Sequence, residues 1–202
     1  MKIVFQGDSI TDWGRDREDP HKLGGGYPVF AAQYTRQRHP DTEFEFVNLG
    51  ISGNQTKDLV ARWQQDCIDL APDVLSIMIG INDVWHHAAQ RDWVPDEVFE
   101  ANYRTILTAV KEKTHAKIII FEPYLLPSPD KDFFREDLDP KIQIVRRLAR
   151  EFADVYVPTD GLLASRCLGK DATRWSGDGV HPNGEGAQLI GSYWADALDS
   201  LL

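Results

Sequence analysis

Four short polar clusters hold side chains that could do nucleophilic and acid–base chemistry together. They are Gly7-Asp8-Ser9-Ile10-Thr11, Gly50-Ile51-Ser52-Gly53-Asn54, Gly80-Ile81-Asn82-Asp83 and Asp178-Gly179-Val180-His181-Pro182-Asn183. Each alone has a plain reading, because Gly, Asp, Ser and Asn are common turn residues and helix caps. Asn183, for instance, could simply cap a last helix that Pro182 leads into. Taken together they supply every part needed for acyl transfer to a serine: a nucleophile, a base, a group that orients the base, and donors for a developing oxyanion. Ser9 is the candidate nucleophile and His181 the candidate base, since a histidine is largely neutral at physiological pH. Asp178, three residues earlier across a glycine turn, can fold back to hold the imidazole. The backbone N–H groups of Ser9 and Gly53, with the side-chain amide of Asn82, are candidate oxyanion donors. A glycine at 53 suits a backbone N–H aimed at a ligand, because no Cβ blocks the approach.

The elements that must carry these clusters are short apolar strands alternating with amphipathic helices. Lys2–Gln6, Phe44–Asn48, Val74–Ile79, Lys117–Phe121 and Val155–Val157 are β-branched or aromatic runs ending at turn residues, the pattern of buried strands. Helical periodicity covers Tyr27–Arg38, Thr56–Leu70, Asp96–Lys113, Asp139–Phe152 and Asn183–Leu202. Asp139-Pro140 reads as an N-cap followed by Pro at the first helical position. Alternation of this kind predicts an α/β fold with a parallel sheet covered on both faces. The first three clusters follow strands and the fourth precedes the last helix, so they fall at the carboxyl ends of the strands, where such sheets bind ligands. Tyr124–Leu138, rich in Pro and Asp, has no pattern of its own and reads as a lid, an oligomer contact or a long surface loop.

Length and charge narrow the classes. A chain of 202 residues fits one domain spanning 1–202, large enough to bury roughly 70–75% of the surface it would expose unfolded. With 22 Lys plus Arg against 32 Asp plus Glu the net charge is −10. That argues against nucleic-acid and anionic-membrane partners, which need clustered cations, and leaves a neutral small-molecule ester open. Cys67 and Cys167 match neither a metal motif nor a disulfide framework, and Cys67 lies in line with Leu59 and Trp63 as a buried reduced thiol. The start, MKIVFQGDSI, lacks a secretory apolar region or membrane span, so a cytoplasmic location is expected.

Further residues near these clusters could bind a substrate. Trp13 and Trp85 flank the Ser9 and Asn82 clusters and Trp175 precedes Asp178; all three are candidate substrate-binding platforms for a sugar ring, with core packing the alternative. Gly24-Gly25-Gly26 lacks the following Lys and the strand of a phosphate loop. His86 and His87 are adjacent, have no ligand partners at metal spacing, and read as surface or pocket-rim residues. Asp12 and Asp83 are expected to make structural hydrogen bonds, and Asp8 to hold the nucleophile loop.

The blocks GDSIT, GISGN, GIND and DGVHP resemble, in order and over the whole chain, the consensus blocks of the GDSL/SGNH hydrolases. The resemblance implies a flavodoxin-like three-layer α/β/α sandwich with a central five-stranded parallel sheet. It also implies Ser9 as nucleophile, Asp178 and His181 as acid and base, and Ser9, Gly53 and Asn82 as the oxyanion hole. The segments GDSITDWGR, NLGISGNQTKDLVARW and SIMIGINDVW are similar to the branch that contains intracellular acetylxylan esterases. The chain departs from related esterases at one point: those carry a Trp directly before the acid, whereas Trp175 stands three residues before Asp178. The expected substrate is a short acyl ester, foremost an acetylated oligosaccharide. The alternatives are a short-chain carboxylesterase, thioesterase or lysophospholipase and, from another class, a noncatalytic carbohydrate-binding module. No metal or organic cofactor is expected, and a homo-oligomer is the base-rate expectation.

Overall fold

A computed structural model describes all residues from 1 to 202. Five strands form one parallel sheet: β1 (Lys2–Gly7), β2 (Glu45–Asn48), β3 (Val74–Met78), β4 (Lys117–Phe121) and β5 (Val155–Val157), in the order β2-β1-β3-β4-β5. This is the flavodoxin-like order, whose switch point lies between β1 and β3. Register is set by the apolar runs themselves. Ile3 pairs with Phe46 on one side and with Val74 on the other, so buried residues meet across the centre of the sheet.

Alternation along each strand divides the apolar residues into two layers. Ile3, Phe5, Ile119 and Phe121 pack with Tyr27, Ala31, Ile190 and Trp194. These come from α2 (Tyr27–Arg38) and α8 (Gly184–Asp199). Val4, Leu75, Ile118 and Ile120 face the other way, onto Leu59, Trp63, Ile106 and Leu148, from α3 (Thr56–Trp63), α5 (Asp96–Lys113) and α6 (Arg135–Phe152). The α2–α8 contact is close: a Cβ on Gly191 would lie 2.6 Å from Cβ of Phe30. No helix is long and apolar enough to cross a membrane.

Three features depart from the sequence expectations. The Thr56 helix is α-helical only to Trp63 and continues as a π turn over Gln64–Ile68, whose Asp66 carbonyl is taken by Gln6 Nε2. Helix α6 starts at Arg135, after a 3₁₀ turn at Asp132–Phe134, and runs through Pro140. Pro140, the sixth residue of this helix, gives up one backbone hydrogen bond to the carbonyl four residues before it. Arg135 is anchored on Asp160 and the Leu125 carbonyl, and Leu138 is fully buried, so the helix begins earlier than the Asp-Pro pair suggests. Short helices α1 (Ser9–Asp12), α4 (Ile81–Trp85) and α7 (Thr159–Arg166) were not foreseen.

Candidate active site

The Ser9 turn is built where β1 ends. A Cβ on Gly7 would lie 2.3 Å from Thr11 Oγ1 and 2.4 Å from the Met78 carbonyl, so only glycine lets α1 fold back against β3. Asp8 caps α1, its carboxylate accepting the Ile10 N–H at 3.0 Å. Burial pushes the Asp8 carboxyl up to about 7 against the hydrogen bond from Ile10, which lowers it. Thus Asp8 holds the loop, as its position in the sequence suggested.

Ser9 Oγ lies 2.9 Å from His181 Nε2, and His181 Nδ1 lies 2.7 Å from Asp178 Oδ2. The second Asp178 oxygen accepts the N–H groups of Val180 and His181 at 2.9 and 2.7 Å. Burial raises the Asp178 carboxyl, but the hydrogen bonds from the His181 ring and from the two backbone groups outweigh it and hold the acid below its ordinary range. An ionised carboxylate on Nδ1 leaves Nε2 as the unprotonated nitrogen facing the serine, the tautomer a general base requires. Gly179 makes the turn at φ +82°.

The second cluster is clamped to α1. Asp12 is buried, and its Oδ2 accepts both the Ser52 N–H at 2.8 Å and the Ser52 hydroxyl at 2.7 Å while also pairing with Arg17. Arg15 Nε donates to the Gly50 carbonyl at 2.7 Å. Gly53 follows with φ +84°, and the side its Cβ would occupy is open except for His86 Cε1 at 3.9 Å. The third cluster is tied to the second: Asn82 Nδ2 donates to the Asn54 carbonyl at 3.1 Å and Gln55 Nε2 to the Asn82 carbonyl at 3.0 Å. One amide hydrogen of Asn82 remains for a ligand. Asp83 accepts the Thr56 N–H and hydroxyl, and burial, opposed by those bonds, pushes it up to about 6. Asp12 and Asp83 therefore make the structural hydrogen bonds expected of them.

A cavity of about 410 Å³ opens over these groups, lined by Ser9, Trp13, Gly14, Ser52, His181 and Pro182. A larger one of about 600 Å³, between Met1, Arg36, His39 and Glu45, lies at the amino ends of the strands and holds no serine or cysteine. The three tryptophans differ. Trp13 is 38% exposed beside Ser9. Trp85 stands with its ring centroid 5.5 Å from that of His181. Trp175 is only 6% exposed and lies under the cations of Lys170 and Arg174, which leaves little ring face for a sugar. Core and platform aromatics look alike in sequence. His86 sits at the rim beside Gly53, and His87 pairs with Asp92 at 3.5 Å. Ser52, Arg15 and Arg17, which organise the second cluster, had no signal beyond their closeness to the motif blocks.

With this geometry in place, three comparisons bear on the chain. Residues 5–189 match the model of the GDSL-like lipase/acylhydrolase family. An acetylxylan esterase from Geobacillus stearothermophilus is 34% identical over 200 residues, covering 94% of this chain and 90% of that protein. The crystal structure of the acetylxylan esterase Axe2 from the same organism superposes with a TM-score of 0.90 at 31% identity, over 98% of this chain and 93% of that one. A GDSL-like protein from Parabacteroides merdae superposes at 0.92 with 35% identity, over 98% and 95%. The chain belongs to the GDSL-like lipase/acylhydrolase family and is a carboxylic ester hydrolase.

Proposed function

We propose that this esterase removes short acyl groups, foremost acetyl from carbohydrate esters of the xylo-oligosaccharide class, through a Ser9–His181–Asp178 triad and an acyl-enzyme. The observation that carries the reading is the unbroken hydrogen-bonded line from Ser9 Oγ through His181 to Asp178, at 2.9 and 2.7 Å. In the first step Ser9 Oγ attacks the ester carbonyl while His181 Nε2 takes its proton. The carbonyl oxygen becomes an oxyanion received by the N–H groups of Ser9 and Gly53 and the free amide hydrogen of Asn82. His181 then gives the proton to the leaving alcohol. In the second step it takes a proton from water, which attacks the acyl-enzyme, and returns it to Ser9. Asp178 steadies the imidazolium formed each time.

The sugar acetate is supported by kinship with acetylxylan esterases and by the exposed Trp13 indole on the cavity wall, a surface suited to a pyranose ring. The triad is supported further by Axe2 variants described as catalytic mutants, which replace a serine and a histidine of that enzyme. Wild type is expected to hydrolyse p-nitrophenyl acetate and peracetylated xylobiose, and Ser9→Ala to lose both by at least about 10³-fold. Turnover of the aryl ester alone would keep the triad and remove the carbohydrate. Full activity in Ser9→Ala would overturn the mechanism.

A further inference from the structure

The segment between β4 and α6 has no role in the chemistry above, yet it grips the Asp178–His181 turn from two sides. On one side its backbone and a phenol hold the turn's carbonyls. Tyr124, fully buried, donates its hydroxyl to the Val180 carbonyl at 2.8 Å, and the Leu126 N–H donates to the Gly179 carbonyl at 2.8 Å. The turn is pressed against the segment so closely that a Cβ on Gly179 would lie 2.8 Å from both the Leu126 carbonyl and Ser128 Cβ. On the other side the segment holds a ring. Lys131 Nζ stands 5.3 Å from the Trp85 centroid and Phe134 packs edge-on at 5.9 Å, while Trp85 faces His181 at 5.5 Å.

The segment is itself fixed, and so can serve as a reference. The Leu125 N–H donates to Asp160 Oδ1 at 3.1 Å, the Ser128 N–H to Asp132 Oδ1 at 3.2 Å, and Arg135 bridges Asp160 and the Leu125 carbonyl. The histidine needs such a reference. Its side chain is 47% exposed and that of Asp178 35%, so burial does not hold the ring where Nε2 must be. The Asp178 bonds to Val180 and His181 are internal to the turn and move with it. What sets the turn relative to Ser9 must come from outside, and a displacement of about 1 Å costs on the order of 10² in rate.

We propose that Tyr124–Phe134 is the positioning frame of the acid–base turn, with Tyr124 its principal positioning residue, acting through the Val180 carbonyl on the direction of His181 Nε2. This rests on the triad reading, and the test separates the two. Tyr124→Phe keeps the buried ring and removes only the hydroxyl. As general acid, His181 matters for an alkoxide leaving group and hardly at all for p-nitrophenolate, which departs without a proton. A misplaced imidazole weakens proton removal from Ser9 on both esters and, on ethyl acetate alone, also the protonation of the leaving alkoxide, so kcat/KM should fall further on ethyl acetate than on p-nitrophenyl acetate, by about threefold or more. A loss that merely reflects a loosened fold would lower both alike. Lys131→Met, which removes the cation over Trp85 at the surface, should show the same inequality in weaker form. Equal losses on the two esters, or no loss beside an inactive His181→Ala, would overturn the frame alone. An active His181→Ala would overturn the triad reading and the frame with it.

Discussion

At the scale of single residues, the site places ionisable groups at two depths. Asp178 is half-exposed and ionised; Asp8 lies beneath the nucleophile at 1% exposure, with its carboxyl raised from 3.8 to about 7. Burial and function thus separate two acids that the motif blocks present alike. The raised acid has a consequence for stability. Below about pH 4 Asp8 is protonated in both the folded and unfolded chain and costs nothing. As pH rises towards 7 the unfolded chain releases the proton readily while the folded chain holds it, so folding loses stability across that window, on the order of a few kcal/mol. Asparagine keeps the capping oxygen for the Ile10 N–H without the charge. Asp8→Asn should therefore gain on wild type by about 1–3 kcal/mol between pH 4.5 and pH 8 in urea unfolding. A gap that stays constant with pH would show that Asp8 ionises as easily in the fold as outside it.

At the scale of elements, the site is an assembly of loops stitched to one another at the carboxyl ends of β1, β2 and β3. The stitch nearest Gly53 is Asp12, one turn after Ser9, which receives the Ser52 N–H and hydroxyl at 2.8 and 2.7 Å. Asp12→Ala frees that loop and leaves its donors unpaired. Its kcat on p-nitrophenyl acetate should fall about 10–10²-fold with KM little changed, short of the 10²–10³ that losing an oxyanion donor outright costs. A change in KM alone would place Asp12 in substrate binding instead. The same stitching explains what could be read in advance. All five strands were legible because each is a buried apolar run closed by a turn residue, and α2 and α5 kept the bounds that their periodicity suggested. Helix α7 was not legible: in Thr159–Arg166 only Thr159 and Leu163 are buried, too few to make a periodic stripe. The Asp-Pro pair misled at α6 because a local cap signal was outweighed by the contacts of Arg135 and Leu138. Ser9, Asp178 and His181 stood out because the four clusters all fall at one edge of the sheet. Tyr124 carried no signal, since its partner Val180 is 56 residues away and only the fold brings them together.

At the scale of the whole molecule, the question is which esters an α/β sandwich with this crevice can favour. Both apolar layers are consumed in covering the sheet, and the groups lining the cavity over Ser9 are Trp13, Gly14, Ser52, His181 and Pro182, with no aliphatic run leading away from it. A lipase gains from each methylene it takes out of water, about 0.8 kcal/mol when fully buried. Six further methylenes, the difference between acetyl and octanoyl, would then add several kcal/mol of binding. Here the lining holds no Leu, Ile, Val or Met side chain for them to bury against, so they would gain little, while the longer chain would compete with the alcohol for the Trp13 face. kcat/KM should therefore be higher for p-nitrophenyl acetate than for p-nitrophenyl octanoate, by about tenfold or more. The comparison is made below the micelle-forming concentration of the longer ester, so that aggregation does not imitate selectivity. A preference for octanoyl by the same margin would mean that the chain finds an apolar path away from Ser9. The lysophospholipase alternative would then replace the sugar acetylesterase, with the Ser9–His181–Asp178 chemistry unchanged.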